Sequence, residues 1–555
     1  MDSHSMSVTS AARKKTSRIY QDLKTSRFYG ASSRKLSIMD SALQFETLDP
    51  NRRPHVGIIG AGFSGLRCAD VMLRSGFRVT ILEARNRLGG RIYQERLQNG
   101  HLVDIGANWI HGTTDNPIMD LVKETKTAVR LWDSHSYVFD EEGKLLPEEE
   151  GEKYSTILWG IIEEAFEYSN KHGASIDPQK SLLDFFQEHI AEKIPDTEED
   201  YEKKRNLVLR MAELWGSFVG SPLSTQSLKF FWLEECIEGE NLFCAGTYNK
   251  VLEKVAQPAL DSADIHYRTQ VSEIHGKSTG PNGKTRVKTA NGQTFEFDEL
   301  VVTCPLGWLK QNLQAFSPPL PDRVCRGIQG IGYGTLEKVY ISFPTAFWLT
   351  PSTNPTDGGR TVQGFCQWLS PQYARDSNPH GWINEVVELG SLGESAHPTL
   401  LFYTFGDQSK HLTSTTRSLP SQKQKEAFLY DYFRPYYSRL PSYDPASPDC
   451  QPMACFATDW SGDELSGNGS YANFQTGLVE GDQDIMAMRN GVPGEGIWLA
   501  GEHTAPFVAL GTVTGAYWSG EHVARRITQK YWKGREEKQK KKGQTEVGEK
   551  KGVEV

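Results

Sequence analysis

At 555 residues, with a mean hydropathy of −0.51 and 38% apolar residues, the chain is too long for one compact core, so two or more domains are expected. Its eight cysteines form no CxxC pair, which argues against a disulfide framework; Cys and His lack metal-ligand spacing, and no apolar run approaches the roughly 20 residues that cross a bilayer. Net charge is −9, yet residues 131–240 hold 25 Asp and Glu against 10 Lys and Arg, an acidic segment able to attract a cation.

Residues 1–53 are Ser-rich and basic, with Arg13, Lys14, Lys15 and Arg18 early in the run and no apolar core of a secretory signal behind them. They read as a disordered leader. With cysteines that suit a reducing compartment, this implies the cytoplasm, while the basic composition leaves a mitochondrial address open. Val56–Ile59 is an apolar, β-branched strand, a glycine cluster turns the chain, and Leu66–Leu73 has helical spacing that stops at Ser75-Gly76. Val79–Leu82 is then a second strand, parallel to the first through a right-handed crossover. From Leu131 to Glu240 the pattern is helical, as in Ile157–Glu167 and Leu207–Phe218. Asp264–Thr303 alternates as β-structure, with hairpin turns at Asn282-Gly283 and Asn291-Gly292. Ile331–Phe343 is a further strand, loops fill much of 350–450, and Ile497–Ala500 is a strand before a helix from Thr512 to Trp532. Residues 529–555 read as a charged, disordered tail. This alternation predicts a nucleotide domain built from 54–130, 241–330 and 451–528, and a substrate-facing domain built from 131–240 and 331–450.

The first chemical signal is VGIIGAGFSG, with Gly60, Gly62 and Gly65 at G-x-G-x-x-G spacing. The first glycine permits the tight turn, the second lets backbone approach a pyrophosphate, and the third lets helix pack on strand. The helix N-terminus adds free N–H groups and positive dipole. Glu83 ends the next strand, where an acid binds a ribose hydroxyl pair. Directly after it, EARNRLGGR is a second glycine turn whose Arg85 and Arg91 can reach the same pyrophosphate, which favours FAD over NAD.

LEARNRLGGR, DIGANWIHG and LAGEH occur in that order, and with them the chain resembles the flavin-containing amine oxidase family from about Pro54 to Ile527, closest to its polyamine oxidases. The resemblance implies an α/β fold. One domain would be Rossmann-like and FAD-binding, of the glutathione-reductase type; the other would be an α+β substrate-binding domain with a β-sheet and flanking helices. Gly60, Gly62, Gly65, Glu83, Ala84, Arg85, Gly90 and Arg91 match positions holding the adenosine diphosphate part of FAD. Gly106, Ala107, Asn108 and Trp109 match the turn beside the isoalloxazine, and Val271 a residue whose backbone meets the adenine. Gly501 and Glu502 match the ribityl contact, while Thr512 and Val513 open a helix whose N–H groups face flavin N1 and the C2 carbonyl. Ser470 stands where monoamine oxidases carry a flavin-linking cysteine, so the FAD is expected to be non-covalent.

For catalysis the resemblance points to Lys338, in TLEKVYISF, as the lysine that holds a water against flavin N5, and to His111, in NWIHG, as an active-site histidine. Substrate contacts are expected at His111, Tyr471 and Thr512. Tyr471 supplies one wall of an aromatic cage, but the other wall falls at Thr512, which is not aromatic, and Thr514 replaces a histidine common in this helix. The implied reaction is oxidation of spermine, spermidine or an acetylated form: hydride leaves the carbon beside nitrogen, the imine hydrolyses, and dioxygen becomes hydrogen peroxide. A histone lysine demethylase, an L-amino-acid oxidase and a flavin-binding protein without turnover remain the alternatives. Expected partners are a cationic amine and dioxygen, with no metal, nucleic acid or membrane and with oligomeric state open. Glu234, Glu235 and Glu238 are candidates for the cavity mouth.

Overall fold

The computed structural model describes residues 53–132, 136–351 and 359–550, with side chains as far as 531. The expected leader, apart from Arg53, and residues 551–555 lie outside the described residues. Three short apolar runs, HVGII, RVTIL and ELVV, form the strands His55–Ile59, Arg78–Leu82 and Glu299–Val302. They are buried along nearly their whole length, as strands covered on both faces must be. With Ile497–Leu499 and Asp264–His266 they make a five-stranded sheet in the order 497–499, 299–302, 55–59, 78–82, 264–266, parallel at every pairing. The helix Phe63–Arg74 joins the first two strands in sequence and ends at Ser75-Gly76, where Gly76 takes φ 82°.

The last helix corrects the expected tail: it spans Val513–Lys550 rather than stopping near Trp532. Glu, Lys, Gln and Arg dominate its distal half, and these are good helix formers whatever their charge. A four-stranded sheet follows the order 294–297, 285–289, 271–275, 316–317. Asn291-Gly292 closes its hairpin, with Gly292 at φ 84°, and Asn282-Gly283 sits in the turn before Thr285.

The second large sheet has six strands in the order 454–457, 336–342, 399–405, 384–388, 365–368, 136–139, antiparallel except for the last pair. Three expectations are corrected by it. The stretch 350–450 is not mainly loop, for it holds three of these strands and the helices Gly406–Ser418 and Gln422–Tyr437; Pro-, Ser- and Gly-rich connections dilute the short runs FCQW, NEVVE and TLLFYTF. Ala454–Ala457, placed by sequence beyond the boundary at 450, is an edge strand of this sheet. Ser136–Phe139, inside the segment read as helical, is its other edge. The expected strand 331–343 is also interrupted. Gly332–Tyr333 pairs with Ala472–Asn473, and Leu336–Ser342 then enters the large sheet. The helices Glu148–His172, Leu182–Lys193 and Tyr201–Ala212 share an apolar cluster with Phe405, Leu369, Ile383 and Val138 of the sheet. Among the described residues no helix is long and apolar enough to cross a membrane, and no group of three or more His, Cys, Asp or Glu is placed to hold a metal ion.

Candidate functional site

The glycine turn is built as its spacing requires. Gly60 takes φ 100°, a conformation rare outside glycine, and a Cβ on Gly65 would collide with the Gly60 carbonyl oxygen. Around Gly62 the situation is opposite: a Cβ there would meet nothing within 4 Å. No side chain caps the helix that Gly62 opens, so the first N–H groups are left for an anion. Glu83 is buried beside the turn, its Oε2 accepting from Ala61 N at 2.7 Å and its Oε1 from Arg85 N at 2.8 Å. Each oxygen keeps a lone pair for a hydroxyl. The chain leading to Val271 runs alongside, since Thr269 N donates to Glu83 O at 2.8 Å.

The second turn meets the first. Gly89 N donates to Ala61 O at 2.9 Å, and a Cβ on Gly90 would lie 3.2 Å from Gly62 Cα. Arg91 reaches the far motif, donating to Ser470 O at 2.6 Å and pairing with Glu502 at 3.0 Å. Arg85 turns to Asp463 at 2.5 Å and to Ser466 at 3.1 Å. Ser470 Oγ donates to Gly334 O and accepts from Leu336 N. Next to Glu502, the His503 ring is 1% exposed and neither nitrogen has a partner among the described residues. Burial, then Arg91, pushes that imidazole down to about 3. An open side at Gly62, an uncapped helix start, a buried acid and an orphaned imidazole fit the FAD that the motifs imply.

The loop 104–109 is stitched to the six-stranded sheet. Lys338, 5% exposed, donates through Nζ to Gly106 O and, at 3.5 Å, to Asp104 O. Tyr340, two residues along and on the same face, donates to Asp104 O at 2.6 Å. Tyr403 OH donates to Asn108 Oδ1 at 3.0 Å and accepts from Trp109 Nε1 at 3.1 Å. Burial drives the Lys338 amine below its ordinary range and the Asp104 carboxyl above its own, each partly restrained by the other. Asp104 and Tyr403 are not singled out by sequence alone. Asp104 stands two residues before the Gly106 motif, and Tyr403 is found only through its register opposite Lys338.

His111 is half-buried; burial lowers its pKa and the neighbouring Asn241 side chain, which accepts from Gly112 N at 3.2 Å, partly opposes the shift. The segment 234–241 folds over this corner, for Thr113 N and Thr114 N both donate to Glu238 O. Glu234 is half-buried, accepts from Gln226 Nε2 at 3.3 Å, and is pushed up to about 7 by burial. It neighbours Tyr471, whose phenol is raised first by burial and then by Glu234. Tyr471 OH donates to Phe218 O. Thr512 caps the last helix, its Oγ1 accepting from Gly515 N at 3.0 Å and donating to Ala509 O at 2.8 Å. The site thus gathers a buried lysine, a half-buried imidazole, a carboxyl and a phenol around the loop that leaves the dinucleotide turn.

A family described as flavin containing amine oxidoreductase matches residues 63–528. Probable polyamine oxidase 4 of Arabidopsis thaliana is 29% identical over 315 residues, which cover 54% of this chain and 60% of that protein. Lysine-specific histone demethylase 1 homolog 3 of Oryza sativa subsp. indica is 26% identical over 489 residues, 86% of this chain and 54% of that protein. The matches therefore span little more than half the length of these relatives. Among solved structures, a putrescine oxidase triple mutant redesigned in cofactor binding shares the fold, with a TM-score of 0.61 at 19% identity, over 86% of this chain and 99% of that one.

Proposed function

The chain belongs to the flavin containing amine oxidoreductases, and from that premise we propose that it oxidises a polyamine with FAD and dioxygen and releases hydrogen peroxide. What FAD supplies when bound is a two-electron acceptor for the C–H beside nitrogen, so that the amine becomes an imine, which water hydrolyses to an aldehyde and a shorter amine. Gly60, Gly62, Gly65, Glu83, Ala84, Arg85, Gly90, Arg91 and Val271 would hold its adenosine diphosphate part. Gly106, Ala107, Asn108, Trp109, Gly501, Glu502, Thr512 and Val513 would hold the rest. Non-covalent binding agrees with Ser470, whose hydroxyl is committed to Gly334 and Leu336.

The observation that carries this reading is Lys338, a buried amine delivered from the strand next to one edge of the six-stranded sheet to the carbonyl of Gly106. A buried lysine is costly without a task or a partner, and burial leaves this one easy to deprotonate. It can hold a water and pass a proton. His111, whose burial favours the neutral imidazole, can in that form accept a hydrogen bond from an amine N–H without repelling it. Glu234 and Tyr471 give the cavity mouth a carboxyl and an aromatic wall, and a carboxyl poised near neutrality gains charge beside a cation.

Peroxide release from an amine panel tests the proposal. Spermine, spermidine or their acetylated forms should outperform benzylamine and L-amino acids. A dimethyl-lysine peptide belongs in the panel because a histone-demethylase relative matches most of the chain at 26% identity. Faster turnover of that peptide, or of L-leucine, than of every polyamine would overturn the substrate class.

A further inference from the structure

One face of the six-stranded sheet carries a polar row that begins at Lys338. The ladder sets Lys338 opposite Tyr403, Tyr403 opposite Glu385, Glu385 opposite Gln367, and Gln367 opposite Val138. Directly opposed residues share a face, so the polar row crosses four strands, with the apolar Val138 beyond it on a fifth, on the side that Lys338 presents to Gly106. On both flanks that face is apolar. Tyr340, Leu401, Val387 and Phe365 belong to the cluster that includes Trp109 and Trp132. In the other direction, Phe405, Ile383 and Leu369 belong to the helical cluster. The polar row follows the seam between these two packing partners.

At its far end Glu385 is 5% exposed and accepts one hydrogen bond from the described residues, from Gln367 Nε2 at 3.2 Å. That bond orients the Gln367 amide and leaves its Oε1 buried with no donor among the described residues. A buried carboxyl beside a buried, unsatisfied acceptor lacks donors and positive charge, and an ammonium brings three of the first and one of the second. We infer that Glu385 and Gln367 form a subsite for a distal ammonium of the amine substrate, a reading that rests on the amine oxidation proposed above and narrows its substrate.

The spacing selects length. Lys338 and Glu385 stand two strands apart, about 10 Å at the usual separation of roughly 4.8 Å. An extended chain advances roughly 1.2 Å per bond, so about eight bonds separate the reacting carbon from the distal nitrogen. A four-carbon diamine offers about four bonds and spermidine cleaved beside its secondary nitrogen at most about six, both too short; spermine cleaved at the butane carbon offers about eight to its far primary nitrogen. Between the two ends lies the Tyr403 ring, 5.9 Å from Lys338 Nζ and suited to methylenes. Burial also raises the Glu385 carboxyl to about 7, so without a cation it can stay protonated and avoid a bare buried charge.

The test compares kcat/KM for spermine and for spermidine in the FAD-loaded wild type and Glu385→Gln, with calorimetric binding of spermine to each. The ratio favouring the tetraamine should fall at least about tenfold in the variant, with weaker spermine binding. Gln367→Leu should move the ratio the same way, and it serves if Glu385→Gln fails to fold. An unchanged ratio, or equal losses for both amines, overturns the subsite while leaving amine oxidation standing. If the wild type oxidises no amine, the functional proposal fails on its own, and equal binding of spermine to wild type and variant then overturns the subsite as well.

Discussion

The two large sheets carry function in different places. In the parallel sheet the strands are apolar on both faces, and the chemistry lies in the turns beyond their ends: Gly60 to Gly65, Glu83, and Gly501 to His503. In the six-stranded sheet the chemistry lies within the strands themselves. Lys338, Tyr403, Glu385 and Gln367 are buried strand residues whose polar atoms face the site seam. A ligand at strand ends needs backbone geometry, which glycine provides. One lying along a sheet face needs side chains in register, which only pairing provides.

The comparison is most easily broken at the turn. Gly65→Ala puts a Cβ into the Gly60 carbonyl and should cost about 3 kcal/mol or more, read as lost soluble protein or a lower Tm. Gly62→Ala has open space and φ −74°, so Tm of the flavin-free protein should hold or rise slightly while flavin affinity drops at least about tenfold. Equal loss of stability in both variants would remove the distinction between a packing glycine and a ligand glycine.

Next in size is Lys338→Met, which removes charge and proton but keeps the strand. Flavin content should survive, and stopped-flow reduction or reoxidation should slow at least about tenfold, roughly 1.4 kcal/mol in barrier. Unchanged rates in both half-reactions would return Lys338 to a purely structural role. Smaller still is the pH effect of Glu234. A carboxyl raised to about 7 is neutral below that pH and anionic above it, so KM for a polycationic amine should fall as pH rises through about 7. Glu234→Gln should flatten the profile by about threefold to tenfold relative to wild type. The smallest effect is ionic strength. With screening over about 8 Å at physiological salt, kcat/KM for spermine should decline modestly as salt rises, and an uncharged competitor should be less affected.

Legibility in the sequence follows the same division. The strand–helix–strand unit from His55 to Leu82 is readable because its apolar runs, its glycines and its acid are consecutive. The hairpin at Asn291-Gly292 is readable because turn chemistry is local. By contrast, Phe365–Trp368 and Asn384–Glu388 hide among Pro- and Gly-rich connections, and in NEVVE the buried Glu385 resembles an exposed charge. Lys338 was legible through its motif, yet its partner Asp104 lies 234 residues away and is defined by a backbone carbonyl, which no side-chain pattern announces. The extension of the last helix to Lys550 is hard to read from sequence because charge and low complexity mask the helix preference of its Glu, Lys, Gln and Arg residues.

The order of strands in the parallel sheet bears on biogenesis. Its edge strand, Ile497–Leu499, pairs with Glu299–Val302, which pairs with His55–Ile59, and the helix packed most extensively on Phe63–Arg74 begins only at Val513. On the ribosome, the glycine turn emerges hundreds of residues before the strand and helix that cover it, and chain growth proceeds at about 5–20 residues per second. For tens of seconds the nascent protein therefore carries an exposed edge at Glu299–Val302 and an uncovered helix at Phe63–Arg74. Completion of the cofactor pocket is a late event in synthesis, and chaperone protection over that interval matters more for this molecule than for one whose nucleotide fold closes early.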